Sequence, residues 1–226
     1  MRSVVGCYLE AIYSLQAEGH GVHATTLAGL FGVSRAAASA TVNRLERDGF
    51  VEHVERHIGL TANGRARAED GMRRHCLAER FLVDVLGVEW AEAHDQARQF
   101  ERGLTPLVEE HIDRKLSMPR FCPHGNPIPR PGFDAATYFR DQGAVALADA
   151  PVAVTLRVLA VSELAEHRLE WMRVFAELHL QPPSIVRLCA RSGKHIDLQV
   201  DLQPVPASLD TALAAWVWVV REEDRQ

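Results

Sequence analysis

Several things are missing from this 226-residue sequence, and each absence narrows what it can be. No apolar run reaches the roughly 18 to 20 residues needed to cross a bilayer. Met1 to Glu10 lacks the basic and apolar regions of a secretion signal, so the expectation is a cytoplasmic chain with no membrane partner. Cys7, Cys76, Cys122 and Cys189 are widely spaced with no Cys-x-x-Cys pair, which excludes a disulfide framework and a zinc finger and leaves buried thiols. A net positive charge is absent too: the formal charge is −5, unsuited to coating nucleic acid. The balance is uneven, however, with 9 basic against 8 acidic residues up to Arg74 and 16 against 22 beyond it. DNA binding by the N-terminal part therefore stays open, because a local basic face sets the phosphate contacts. There is no internal repeat, phosphate-binding glycine loop or nucleophile elbow.

What is present is centred on Met72 to Arg102. At helical period Met72, His75, Glu79, Leu82 and Leu86 share one stripe, so an imidazole and a carboxylate four residues apart interrupt an apolar face. After Gly87 a second helical run from about Ala91 places His94, Arg98 and Glu101 on one face. Packed antiparallel, the two helices bring His75, Glu79 and His94 together, and a His/His/Glu set from neighbouring helices suits a divalent cation with positions left open. The bland alternative is solvated faces with satisfied histidines.

Upstream, Val4 to Leu15 reads as an amphipathic helix with Cys7 and Glu10 beside its inner face. Thr25 is the expected N-cap of a short helix, Thr26 to Phe31, Gly32 makes a turn, and Ser34 caps a helix from Arg35 to Asp48 that stops at Gly49. Two helices about a tight glycine turn form a helix-turn-helix whose second helix starts with small side chains that allow close approach to bases. Thr26, Ser34, Arg35, Ala36, Ser39, Asn43 and Arg44 are the candidate DNA contacts, with Arg56 in the turn of the following hairpin. A small helical bundle with an alanine-rich packing helix is the alternative. Phe50 to Val54 and His57 to Leu60 alternate as the wing of a winged helix, and Thr61 opens a long helix running into Met72 without a flexible linker.

Thr105-Pro106 starts a further helix to about Leu116. The proline-rich stretch Phe121 to Gly132 and the aperiodic Asp134 to Ala150 form an irregular arm. The remainder reads as strands over Ala153 to Val161, Ile185 to Ala190, Ile196 to Val200 and Ala214 to Val220, with one helix over Glu163 to Leu178, which suits a small β-barrel. On that helix Glu163, Glu166, Glu170 and Glu177 make an acidic stripe, either a solvated face or a donor of a metal ligand. The expected units are 1–71, 72–140 and 151–226, in an α+β fold that is mostly α.

The order of parts resembles the diphtheria-toxin-repressor family of metal-dependent transcriptional regulators. The resemblance rests on Tyr8-Leu9-Glu10-Ala11-Ile12-Tyr13, Val42-Asn43-Arg44-Leu45-Glu46-Arg47-Asp48-Gly49, Leu60-Thr61-Ala62-Asn63-Gly64, Arg74-His75-Cys76-Leu77-Ala78-Glu79-Arg80-Phe81-Leu82, His94-Asp95-Gln96-Ala97, and Cys122-Pro123-His124-Gly125-Asn126-Pro127-Ile128-Pro129. It is close over residues 1 to about 130 and looser beyond. It implies an N-terminal winged helix-turn-helix, a helical dimerisation domain carrying metal sites and a C-terminal SH3-like β-barrel.

The resemblance also implies ligands. His75, Glu79 and His94 match the family's ancillary site, to which the C-terminal domain adds a donor, here Glu170, with Glu166 and His167 as alternatives. At the primary site Cys7, Glu10 and Glu101 match, but Arg98 and Arg102 stand where the family has ligands, and a guanidinium cannot bind a cation. Either the arginines supply the charge, or Cys7, Glu10 and Glu101 form a rearranged site with His75. The function implied is a homodimeric repressor of metal uptake that binds a palindromic DNA operator with Mn²⁺, or alternatively Fe²⁺, as corepressor. It would not be an enzyme. The alternatives are a small metallohydrolase using the His/Glu/His site, or a regulator that has lost metal sensing.

Overall fold

The computed structural model describes residues 4–201 and 206–222; the outer ends of the first and third expected units, at Met1 and Gln226, lie outside them. Helix α1 (Val4–Ala17) buries Tyr8, Leu9, Ala11, Ile12, Tyr13 and Leu15. α2 (Ala24–Phe31) starts two residues earlier than its sequence suggests: the cap position is His23, which makes no side-chain cap bond, and Thr25 is an exposed first-turn residue. The Ser34 hydroxyl accepts from the Ala37 N–H at 3.1 Å and starts α3 (Arg35–Arg47). α3 turns Ala38, Val42 and Leu45 inward. Strands β1 (Val51–Val54) and β2 (His57–Leu60) pair antiparallel, with Val51 opposite Leu60, and complete a winged helix-turn-helix.

Helix α4 (Ala62–Asp84) is the spine of the N-terminal two-thirds. At about 1.5 Å per residue it spans about 35 Å. Thr61 caps its N-terminus and ties it to the end of α3: its oxygen accepts from the Gly64 N–H at 3.1 Å, and its hydroxyl donates to the Gly49 carbonyl at 2.7 Å. Position 72, the expected start of a second unit, therefore lies inside one continuous helix. α5 (Ala93–Phe100) and α6 (Pro106–Lys115) pack on α4. Arg73 of α4 pairs with Glu109 and Asp113 of α6, and Arg130 of the arm pairs with Asp113. One apolar core runs from Leu27, Val42 and Leu45 through Met72, Cys76 and Leu77 to Cys122, Ile128 and Leu164.

The stretch read as irregular contains a short helix, α7 (Tyr138–Asp141), and a strand, β3 (Val145–Ala146). The C-terminal unit then supplies β4 (Thr155–Val161), α8 (Glu163–Glu166), α9 (Leu169–Glu177), β5 (Ile185–Ser192), β6 (His195–Val200), β7 (Ala207–Asp210), α10 (Thr211–Ala214) and β8 (Val217–Arg221). The strands form one antiparallel sheet in the order β3-β8-β4-β5-β6-β7, around a core of Val158, Met172, Phe175, Val186, Leu188 and Val219. This is the expected SH3-like arrangement, except that β3 and β7 remain edges and the barrel does not close. The helix expected over Glu163 to Leu178 is broken at His167-Arg168 into α8 and α9.

The C-terminal unit meets the first at a buried polar contact. Glu18, just past α1, accepts from the Ser162 hydroxyl, 2.7 Å from Oε1 and 2.9 Å from Oε2, where β4 passes into α8. Burial pushes the Glu18 carboxyl up to about 8 against the Ser162 hydrogen bond, with a contribution from nearby Glu163.

Two predictions follow from these contacts. A Cβ on Gly64 would lie 1.8 Å from the Phe50 carbonyl oxygen, so Gly64→Ala must displace α4 from the wing. Overpacking of this kind costs about 1–3 kcal/mol, against about 1 kcal/mol for losing the cap in Thr61→Ala. Urea titration of both variants checks that order, and equal stabilities would contradict the close approach. For Glu18, the folded state holds the proton with a value of about 8 against an ordinary 4.5. Its protonated form is favoured by folding, so the contribution is full below the lower value and is lost as pH rises through the upper one. Glu18→Gln should therefore raise the melting temperature relative to wild type by an increment that grows across that window and then levels. A pH-independent increment in calorimetry would show that Glu18 does not titrate there.

Candidate metal centre

The spacing of His75 and Glu79 on α4 puts both side chains on the face toward α5 and α8, where both are fully buried. His94 comes from the first turn of α5, Glu163 and Glu166 from the two ends of α8, and His124 from the arm. His75 Nε2 lies 3.0 Å from His94 Nδ1 and 3.0 Å from Glu79 Oε1. His94 Nδ1 lies 3.2 Å from Glu166 Oε2 and 3.4 Å from Glu79 Oε1. One ligand atom from each of His75, His94, Glu163 and Glu166 falls within 4.8 Å of the others.

Around this set the orienting groups are in place. Glu101 Oε2 accepts a hydrogen bond from His75 Nδ1–H at 2.9 Å and so turns the Nε2 edge of the ring into the cluster. Asn126 donates from Nδ2 to Glu166 Oε1 at 2.7 Å and to the Val161 carbonyl at 2.8 Å, fixing the carboxylate to the end of β4.

The electrostatics are those of mutually dependent charges. Burial pushes His75 down, but Glu79 and the Glu101 hydrogen bond outweigh it and hold it well above the usual imidazole range. His124 behaves alike: burial opposes, and Glu166 and Glu79 prevail. Burial keeps His94 well below that range. Glu79 is held low against burial by His75 and His124, whereas burial and the Glu79 charge drive Glu166 up. Both Glu79 oxygens are buried, and the nitrogens of His75, His94 and His124 face them from 3.0 to 3.6 Å without an aligned hydrogen bond. Burying a carboxylate costs several kcal/mol unless its charge is met, here by imidazoles, and imidazole nitrogens and carboxylate oxygens gathered in one buried place are the donor chemistry of a divalent-cation site. The residues present fit such an ion.

The other expected ligands are placed differently. Glu170 is exposed on the first turn of α9 and takes no part in the cluster. The break after α8 cuts the acidic stripe, and Glu163 and Glu166 reach the site instead. The clue in the sequence is Ser162, whose side chain accepts from the Leu164 N–H at 3.2 Å and starts a separate helix there. His124 and Asn126 were passed over as site residues because their proline-rich surroundings read as linker, although Cys122-Pro123-His124 carries two ligand types at short spacing.

Cys7 and Glu10 line a narrow pocket with Arg98, Glu163 and His167, while Glu101 is engaged with His75. Arg98 Nη1 donates to His167 Nδ1 at 3.0 Å, which puts a fixed positive charge into that pocket, and Arg102 is exposed. Glu101, Cys7 and Glu10 do not form a converging ligand group among the described residues. A second cation of the usual composition does not fit there. On the DNA side, Thr26, Ser34, Arg35, Ala36, Asn43, Arg44 and Arg56 are exposed and Ser39 is half-buried.

Comparison with known proteins bears on both faces. Residues 3–58 match the N-terminal DNA-binding domain of iron-dependent repressors, and residues 61–130 match their metal-binding and dimerisation domain. The chain is 39% identical over 170 residues to the iron-dependent repressor IdeR of Mycobacterium tuberculosis, covering 71% of each chain. It is 31% identical over 197 residues to the diphtheria toxin repressor of Corynebacterium diphtheriae, covering 84% of this chain and 86% of that one. A solved manganese-dependent transcriptional repressor in complex with manganese superimposes with a TM-score of 0.82 at 31% identity, over 97% of this chain and all of that one. The chain belongs to the iron-dependent, or diphtheria-toxin-repressor, family of metal-dependent DNA-binding transcriptional repressors.

Proposed function

We propose that this chain represses transcription when Mn²⁺ or Fe²⁺ is held by His75, Glu79, His94, Glu163 and Glu166. The observation that carries the reading is the fully buried Glu79 carboxylate, which sits without an aligned hydrogen bond amid ligand atoms from α4, α5, α8 and the arm. A divalent cation there supplies the charge that lets neighbouring carboxylates ionise together. The nitrogen and oxygen donors of this set suit Mn²⁺ or Fe²⁺.

The protein's part is mechanical. His75 and Glu79 lie on the helix that Thr61 caps against the helix-turn-helix, whereas Glu163 and Glu166 belong to the C-terminal unit. A ligand set that closes only when these elements are seated shifts the population toward that seating. The same seating fixes α3, with Arg35, Ala36, Asn43 and Arg44 outward. A groove of Phe81, Leu107, Val108, His111, Ile112 and Lys115, with Leu107 64% exposed, is the surface we assign to the homodimer contact. Two copies would then present paired α3 helices to a palindromic operator. The chain would work in the cytoplasm, where the DNA lies; among the described residues no helix is long and apolar enough to cross a membrane.

Two outcomes test this. Mn²⁺ should raise the melting temperature of the wild type, by about 2.7 kcal/mol of added stability at a hundredfold excess over the dissociation constant, and should release protons, because imidazoles and carboxylates held in protonated form must give them up. His75→Ala should abolish both the shift and metal-dependent operator binding. Calorimetry in buffers of different ionisation enthalpy reads the protons, and binding that does not weaken as pH falls would overturn the assignment. Arg35→Ala should weaken operator binding without altering the melting temperature or the Mn²⁺ response. Unchanged binding in a gel-shift titration would move the reading helix elsewhere.

A further inference from the structure

On one side the imidazoles of the centre continue outward to a guanidinium, and the run has a direction. His94 and Arg98 stand one turn apart on α5, and His167 closes the C-terminal end of α8. His94 Nε2 lies 3.2 Å from His167 Nδ1, and Arg98 Nη1 lies 3.0 Å from that same nitrogen. The His94 and His167 rings meet edge to face with centroids 4.6 Å apart. On its other edge His94 turns Nδ1 into the cluster, 3.0 Å from His75 Nε2 and 3.2 Å from Glu166 Oε2. His94 is buried, whereas His167 and Arg98 are half-buried along the pocket that Cys7, Glu10 and Glu163 also line.

The placement of ring protons follows from which groups can only donate. A guanidinium carries N–H donors, offers no acceptor and keeps its proton in a protein. Its bond to His167 therefore requires a lone pair on His167 Nδ1, so the His167 ring is neutral with its proton on Nε2. His94 Nε2 approaches the same lone pair, and it has to be the second donor, because two lone pairs at 3.2 Å would repel. Burial keeps His94 in its neutral form. A neutral imidazole with its proton on Nε2 carries its lone pair on Nδ1, the edge that faces the cluster. The opposite tautomer has strong attractions of its own: a proton on Nδ1 would meet Glu166 Oε2 at 3.2 Å and Glu79 Oε1 at 3.4 Å, both good acceptors. That tautomer would aim the His94 lone pair away from the centre, at a nitrogen that Arg98 already requires to be an acceptor.

We propose that Arg98 and His167 are the positioning residues of His94: Arg98 holds His167 as a hydrogen-bond acceptor, and His167 holds the His94 proton on Nε2, so that Nδ1 meets a cation as a free lone pair. A residue that cannot touch the ion thus decides which edge of a ligand is ready for it. His75 is oriented by the opposite means, a carboxylate that accepts from its outer N–H. Partners of this outer kind fix the tautomer of a ligating imidazole, and removing one typically weakens metal binding by about 10–100-fold. This inference rests on the reading of the centre as a divalent-cation site.

The test reads the ring protons before any metal is added. Long-range proton–nitrogen correlation spectra of the full chain, carrying nitrogen-15 histidine and stripped of metal, distinguish a proton-bearing ring nitrogen from a bare one, and a His94→Gln spectrum assigns the signals. Wild type should show His94 with its proton on Nε2 and a bare Nδ1. Arg98→Ala and His167→Ala should each move His94 toward the opposite tautomer and weaken Mn²⁺ binding by about 10–100-fold. Arg98→Lys, which keeps a cationic donor at that place, should retain the wild-type tautomer and most of the affinity. A His94 proton on Nδ1 in the wild type overturns the inference, as does an Arg98→Ala chain that matches wild type in both spectrum and Mn²⁺ affinity. Weakened binding in Arg98→Ala with an unchanged His94 tautomer overturns it too, since the arginine would then act by charge or packing alone. A wild type that shows the expected tautomer and binds no Mn²⁺ counts against the proposed function and not against the ring-proton assignment.

Discussion

Three carboxylates, Glu79, Glu163 and Glu166, are buried in one place, and the rest of the molecule depends on how their charge is met. Two like charges about 4 Å apart repel by roughly 4 kcal/mol even at an effective dielectric of about 20, a large fraction of the stability of a typical domain. Without a cation the chain answers with imidazoles: His75 and His124 are held charged, and Glu166 is pushed toward its neutral form. That solution leaves Glu79 without an aligned donor. The centre is under electrostatic tension of a kind that a divalent ion would relieve.

The tension has a mechanical output because its members sit on elements that share cores and caps. His75 and Glu79 are two turns or fewer from Met72, which packs in the same core as Leu27 and Leu45 of the helix-turn-helix. Glu163 follows Ser162, whose hydroxyl is held by Glu18 at the end of α1. The acidic C-terminal donors therefore reach the DNA-reading part twice, through the cluster and through the Glu18 contact. Arg98, bonded to His167, fills a place between α1, α5 and α8 with a permanent charge. The guanidinium links α5 to the residue after α8 through that bond.

Much of this was legible in the sequence where the relevant signal is local. The Ser34 cap, the glycine turn at Gly32, the wing and the His75/Glu79 spacing on a helix all follow from side-chain chemistry within a few residues. The pattern failed where a single break or a long-range contact decided the outcome. The acidic stripe pointed to Glu170 because one helix was assumed from Glu163 to Leu178; the break at His167-Arg168 changes which carboxylates face inward. His124 and Asn126 looked like linker residues because proline and glycine dominate their surroundings, and only packing on β4 shows that the arm is interior. Cysteines far apart in sequence gave no sign that Cys76 and Cys122 meet.

The proline-rich arm and α8 also fix when, during synthesis, the molecule can become a sensor. Everything needed to form the winged helix-turn-helix, through Thr61 and the first turns of α4, leaves the ribosome early. The pairing of His94 with Glu166 closes across 72 positions of sequence, and such non-local contacts form late because the chain between them must first be ordered. A nascent or truncated chain would thus hold the reader and three of the five proposed ligands but not the carboxylates of α8. With the proposed ligand set, the site is complete only once the last unit has docked, so an incompletely made copy would have the DNA-binding fold without the whole switch.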